Sequence, residues 1–270
     1  MSLLLSAAAP ALGGTLQLDG NMTQGGLVIG TTEPDAKVML DGKTVRVSER
    51  GRFVIGFGRD AAPEASLLVE HPDGSRSERR LAIAKRDYDI QRIDGLPPAM
   101  VTPPEELLAR IKRENEKIWA ARAVDRPEPL FESGFAWPAQ GIISGVYGSQ
   151  RILNGEPRQP HYGIDIAAPE GTPVTAPADG LVVLAEPDLY YTGGTLIIDH
   201  GHGLSSALLH MESLSVAVDE RVKLGQPVGT LGATGRATGP HLDWRINWFE
   251  ERIDPALLVP PMPAPEQAGQ

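Results

Sequence analysis

The chain has 270 residues, a formal net charge of −10 and no cysteine. That length buries a core in one or two domains. The acidic balance, with no basic block to offset it locally, repels nucleic acid, and the missing thiols exclude disulfides, thiolate metal ligands and thiol catalysis. With 41% hydrophobic and 22% charged residues the balance is globular, and no run approaches the ~18 apolar residues that a membrane-spanning helix needs.

In chain order, residues 1–10 hold Leu3 to Leu5, Ser6, three alanines and Pro10. They read as a residual export-signal-like segment without its basic start, or as a frayed Ala-rich beginning. Residues 11–93 predict a small β-sandwich domain. Val38 and Leu40 alternate with polar neighbours before Asp41-Gly42, Val45 and Val47 follow, and Asp-Gly between alternating runs marks a hairpin because glycine accepts positive φ. Phe53, Ile55 and Phe57 form another period-2 run. Leu67 and Val69 lead into the turn His71-Pro72-Asp73-Gly74, and Leu81 and Ile83 return. The stretch VIGTTEPDAKVMLDGKTV is similar to the opening of immunoglobulin-like modules on exported bacterial proteins.

Residues 94–134 read as a linker carrying a helix over about 103–121. Thr102 caps, Pro103 suits the first turn and Glu105 completes a capping box. Leu107, Leu108, Ile111, Ile118 and Trp119 are expected on one docked stripe. Residues 135–259 form a second, glycine-rich domain with strands predicted at Val182–Leu184, Leu196–Ile198, Leu208–Leu209 and Leu242–Trp248. The proline-rich tail 260–270 has no core-forming pattern.

Of six histidines, five lie in the second domain. His161 and Asp165 are good ligand types for a borderline metal such as zinc. A flat strand would hold them about 13 Å apart, so a shared ion requires a bend, which Gly163 permits. His241, Asp243, Arg245 and Asn247 share one face of a strand, and Leu242, Trp244, Ile246 and Trp248 the other. Two readings stay open for that polar face: solvated, or with Asp243 reaching a metal while His241 points beside it. His200 and His202 read as structural, and His210 ends a strand.

The second domain resembles the LytM/lysostaphin-type zinc metallopeptidases, peptidase family M23, over roughly Trp137 to Pro255. Four blocks in the family's order carry the resemblance: HYGIDIAAPEGTPVTAPADGLV, GGTLIIDHGHGLSSALLHM, VKLGQPVGTLGATG and TGRATGPHLDW. It implies a C-terminal LytM-type antiparallel sheet domain, duplicated-hybrid-motif-like, with zinc on the floor of a groove; with the N-terminal immunoglobulin-like β-sandwich and the connecting helix read above, the protein is expected to be mainly β. It implies one Zn²⁺ per chain on His161, Asp165 and Asp243, the last standing where the family has the second His of H-x-H. His210 and His241 match the two catalytic, non-ligand histidines. The implied activity is hydrolysis of peptide bonds in peptidoglycan stems or cross-links. The implied partners are peptidoglycan or its peptides, with a cell-wall or envelope regulatory protein as a further partner and the bacterial periplasm or cell envelope as the place.

Position 243 is the main departure. Zinc with two His and one Asp carries +1, and with one His and two Asp it carries none, so the centre polarises a carbonyl less. Either the enzyme works with an altered optimum, or the domain is a weak or silent module that binds or regulates cell-wall hydrolysis. A plain wall-binding role for the sandwich is a third reading. Leu208 replaces a family tyrosine and is expected to remove a polar contact near the substrate. Asn154 and Glu156, on the loop before His161, are candidates to approach an open metal position.

Overall fold

The computed structural model of the chain describes residues 15–93, 105–153 and 155–263. Residues 1–10, Thr102 to Pro104, Asn154 and residues 264–270, on which several expectations fell, lie outside them.

The N-terminal strands are β1 (Gln17–Gly20), β2 (Leu27–Thr31), β3 (Lys37–Leu40), β4 (Lys43–Val45), β5 (Arg52–Gly56), β6 (Glu64–Glu70), β7 (Arg76–Ala82) and β8 (Ile90–Ile93). Strands β1-β2-β5 make one sheet and β4-β3-β6-β7 another. Val28, Phe53 and Ile55 from the first meet Val38, Leu40, Leu67, Val69 and Leu81 from the second in one core. The alternating runs in the sequence are the inward faces of these strands. The Asp41-Gly42 turn forms: φ is 47° and 76°, and Leu40 pairs with Lys43, the type I′ geometry that follows strand twist.

Helix α1 (Glu105–Arg122) follows. Its buried side is narrower than the expected stripe. Ile118 and Ala121 pack on the sheet of the C-terminal domain, whereas Leu108 and Trp119 are 49% and 53% exposed. Polar contacts hold the rest. Glu114 Oε2 accepts from the Tyr190 amide at 2.8 Å, Arg110 Nη2 donates to the Asp188 carbonyl at 2.7 Å and Lys117 pairs with Glu186 at 2.6 Å. Arg110, Glu114, Lys117, Ile118 and Ala121 share one side of the helix, and Leu108 and Trp119 lie on the other.

The C-terminal strands are β9 (Ile142–Gly145), β10 (Gln150–Leu153), β11 (Glu156–Pro157), β12 (Ile164–Ala167), β13 (Pro173–Thr175), β14 (Gly180–Leu189), β15 (Gly193–Gly201), β16 (Leu204–Leu214), β17 (Arg221–Val222), β18 (Pro227–Leu231), β19 (His241–Trp248) and β20 (Glu251–Ile253). The main sheet runs β17-β14-β15-β16-β19-β12-β9, with β13, β18 and β20 paired at its sides. Its pairings are antiparallel. Leu196, Ile198, Leu208, Leu242, Trp244 and Ile246 fill the core on one face. Leu209 pairs with Asp243 and Ala207 with Arg245, and directly opposed residues share a face. Ile118 and Ala121 pack against the cluster of Leu184, Ile197, Ala207 and Leu209, so α1 lies over the same face that presents Asp243.

The two β units interlock along β20. Arg86 pairs with Asp254 at 2.8 Å, the Asp254 amide donates to the Gly25 carbonyl at 2.8 Å, and Asn21 Nδ2 donates to the Leu257 carbonyl at 3.0 Å. Strand β8 pairs in parallel with β10, a pairing with no signature in either segment's sequence. The start of the tail is tied down: the Pro260 carbonyl accepts from Trp137 Nε1 at 2.8 Å, and Met262 packs on the core. No helix among the described residues is long and apolar enough to cross a membrane.

His200 and His202 have structural partners. His202 Nε2 lies 3.0 Å from the Pro127 carbonyl. His200 is fully buried, with Nδ1 donating to the Asp179 carbonyl at 2.7 Å and Nε2 2.7 Å from Ser206 Oγ. Burial pushes its pKa from 6.5 down to about 4. Between those values the unfolded chain holds a proton on this ring and the folded chain does not. Stability is therefore complete above pH 6.5 and falls as the pH drops toward 4, by about 3 kcal/mol from this residue alone. Urea midpoints across that range report the slope, and His200→Asn is expected to flatten it.

Candidate metal centre

His161 precedes β12 and is fixed by its backbone: its amide donates to the Ser149 carbonyl and its carbonyl accepts from the Gly148 amide, each at 2.8 Å. The chain then turns through Gly163 into β12. A Cβ on Gly163 would lie 2.3 Å from Asp243 Oδ1 and 2.7 Å from the Trp244 carbonyl oxygen, so only glycine lets the bend pass this close to β19. The bend replaces the flat-strand separation with contact, and His161 Nε2 stands 3.2 Å from Asp165 Oδ1. Asp165 pairs with Asp243 in the β12–β19 register. On its other side a Cβ at Gly145 would lie 2.2 Å from Asp165 Oδ2, so a glycine also makes room for this carboxylate.

One ligand atom from each of His161, Asp165 and Asp243 lies within 4.8 Å of the others. His161 Nε2 and Asp165 Oδ1 are buried without a hydrogen-bond partner, an expensive state for a ring nitrogen and a carboxylate unless something else binds them. Ligands at about 2 Å from a tetrahedral ion sit about 3.3 Å apart, and the His161–Asp165 spacing already matches that edge. The residues fit a divalent metal of the zinc type.

Asp243 is 2% exposed, so this residue of the polar face of β19 is covered and not solvated. Arg245 grips it: Nε lies 3.0 Å from both carboxylate oxygens and Nη2 bonds Oδ2 at 2.5 Å. Burial pushes the Asp243 carboxyl upward, and Arg245 more than reverses this, holding it below the usual carboxylate range. The shared strand face placed Arg245 beside Asp243 in the sequence, but the pairing was not legible, because side chains two apart on a strand meet only when one is long and bends along it.

The two remaining histidines stand beside the cluster. His241 Nε2 is 3.9 Å from Asp165 Oδ1, and the His210 and His241 ring centroids are 4.7 Å apart. His210 Nδ1 lies 2.9 Å from the Thr234 carbonyl and His241 Nδ1 2.8 Å from the Gly239 carbonyl. A carbonyl only accepts, so each Nδ1 carries the proton and each Nε2 keeps its lone pair. His210 adopts φ of 64°, a left-handed backbone that few non-glycine residues take. Burial lowers its pKa, against a smaller opposing effect of the Thr234 carbonyl, which favours the neutral base.

Two expectations need correction or narrowing. Leu208 pairs with Trp244 and is buried in the core on the opposite face from Asp243. Its side chain therefore removes nothing from the site, because strand alternation turns it inward. Glu156 is exposed on β11 and is not among the clustered residues.

Residues 159–255 match the family model described as Peptidase family M23. Peptidoglycan DD-endopeptidase ShyB of Vibrio cholerae is 39% identical over 187 residues, which is 69% of this chain and 39% of that protein. Cell division protein DipM of Caulobacter vibrioides is 33% identical over 132 residues, 47% of this chain and 21% of that protein. A solved structure from Pseudomonas aeruginosa, described as an M23 peptidase, superposes with a TM-score of 0.69 at 29% identity, covering 88% of this chain and 95% of that one. The chain spans well under half the length of these two curated relatives.

Proposed function

Given that the C-terminal sheet has the fold of the M23 zinc peptidases, with a His-Asp-Asp cluster in place of the family's metal-site pattern, we propose that this protein is a zinc-dependent endopeptidase hydrolysing peptide bonds in peptidoglycan stems or cross-links. The observation that carries the reading is the convergence of two partnerless buried ligand atoms, on His161 and Asp165, with Asp243 and two free imidazole nitrogens.

His161, Asp165 and Asp243 would hold one zinc ion, with His210 and His241 as the catalytic pair. The ion, when bound, supplies Lewis acidity and activates water at neutral pH. His210 and His241 are held by carbonyls at Nδ1, so their Nε2 atoms face the reacting groups in a fixed tautomer. One takes the proton of the attacking water. The other, when protonated on both nitrogens, donates from Nε2 to the growing oxyanion. The peptide substrate lies along the sheet face, with α1 bounding the groove. The immunoglobulin-like reading of residues 11–93, with 94–134 as connector and 135–259 as the catalytic domain, gives the N-terminal unit a role in placing or covering that groove. Peptidoglycan as substrate puts the protein in the periplasm or cell envelope.

A second reading is a weakly active or silent LytM-type module that binds or regulates cell-wall hydrolysis. It is supported by the grip of Arg245 on both oxygens of Asp243, which competes with a metal for the same carboxylate. Incubation of the purified protein with peptidoglycan separates the two. The peptidase reading expects new peptide ends, their loss with chelator and their return with added zinc. No new ends in zinc-loaded protein contradict it and favour the module.

A further inference from the structure

We infer that Arg245 is the positioning residue that makes a carboxylate workable as the third ligand: it aims Asp243 at His161 and Asp165 and restores the positive charge that Asp243 removes. The inference rests on the zinc reading above.

Three observations support it. First, Asp165 and Asp243 are opposite one another in the β12–β19 register, an arrangement of like charges that is destabilising by itself. Arg245 supplies the opposite charge on the same face. Among the described residues its ion-pair partner is Asp243.

Second, the grip is one-sided. Oδ2 takes contacts from Nε and Nη2, whereas Oδ1 takes one from Nε alone. Oδ1 therefore keeps a lone pair, and it is the oxygen that points at Gly163, in the bend joining His161 to Asp165. The Arg245 stem passes the same spot, since Cγ would lie 2.7 Å from a Cβ on Gly163. The fork thus fixes the carboxylate plane with one oxygen toward the other two ligands. A carboxylate is shorter than imidazole and has a freely rotating end, so a fixed plane matters more here than it does for a histidine.

Third, the charge balances. Zn²⁺ with His161, Asp165 and Asp243 is neutral, and the guanidinium beside it brings the local sum to +1. That is the charge of a site built from two histidines and one aspartate. The pair Asp243–Arg245 stands in for one neutral imidazole in both direction and charge, which a lone aspartate does not.

The test is a double-mutant cycle read as zinc affinity, by competition with a chromophoric chelator, in the full chain. Arg245→Ala is expected to weaken zinc binding about 10–100-fold, as outer-shell partners of ligands do. Arg245→Lys keeps the charge without the fork and is expected to recover only part of the loss. In an Asp243→His background no carboxylate needs holding, and Arg245→Ala is expected to leave zinc affinity within a few-fold. Unchanged or tighter zinc binding in Arg245→Ala overturns the inference, as does an equal loss in both backgrounds. If Asp243→His does not fold, the Ala and Lys variants decide alone: full recovery by Lys, or no loss with Ala, overturns the positioning role. A wild-type protein that does not bind zinc removes the metal reading itself and this inference with it, whereas a zinc-binding wild type with an indifferent Arg245 removes only the inference.

Discussion

Replacing His241 with alanine is expected to lower peptidoglycan hydrolysis by about 10²–10⁴-fold, the range for a positioned general acid or base, while zinc stays bound. The separation of the two effects follows from geometry. His241 is fixed through Nδ1 by the Gly239 carbonyl at 2.8 Å, and its Nε2 stands 3.9 Å from the nearest Asp165 oxygen, beside the ligand cluster and outside it. Its removal deletes a proton acceptor without touching a ligand. New peptide ends counted against time, together with metal content in the same sample, check both halves. Hydrolysis at the wild-type rate removes His241 from the chemistry, and loss of zinc moves it into the ligand set.

The two carboxylates are expected to behave differently when each is replaced by alanine, although both replacements release zinc. Asp165 Oδ1 makes no hydrogen bond and its close neighbours are His161 Nε2 at 3.2 Å and His241 Nε2 at 3.9 Å, so Asp165→Ala gives up those two contacts with neutral rings and removes one of two opposed negative charges. The apo variant is expected to be as stable as the wild type or more so. Asp243 is the partner of Arg245, and Asp243→Ala strands a guanidinium beside the core sheet. Breaking a buried pair costs about 3–5 kcal/mol. The Arg245 side chain is 30% exposed, so water offsets part of that and about 1–3 kcal/mol is expected. Zinc content after dialysis and urea midpoints of the apo proteins measure the two effects. Zinc retained by either variant contradicts its place as a ligand, and equal midpoints contradict the part assigned to the ion pair.

The site was legible in the sequence where chemistry is written in short-range spacing. His161, Asp165, His210, His241 and Asp243 are all brought to one face of one sheet, and Gly163, singled out as the residue that permits the bend, is the residue whose missing Cβ admits Asp243. The Asp41-Gly42 hairpin was legible for the same reason, since two adjacent positive φ values are a local demand. What escaped depends on contacts distant in sequence or on side-chain length. The Arg245 fork around Asp243 depends on how a long side chain bends along its strand. By contrast, the exposure of Leu108 and Trp119 is already set by the 3.6-residue period, which puts both across the helix from Arg110, Lys117 and Ala121. The inward direction of Leu208 follows from its pairing with Trp244. The left-handed backbone of His210 then turns the next functional residue outward from the same strand, a reversal that alternation does not foretell.

The most direct measurement is an anomalous-difference map at the zinc edge from crystals of the purified protein. The account predicts a single strong peak per chain, about 2 Å from His161 Nε2, an Asp165 oxygen and Asp243 Oδ1, with Arg245 still on Asp243 Oδ2 and no imidazole of His210 or His241 in the coordination sphere. A peak held by a different set of side chains, or an empty cluster in crystals soaked with zinc, contradicts it.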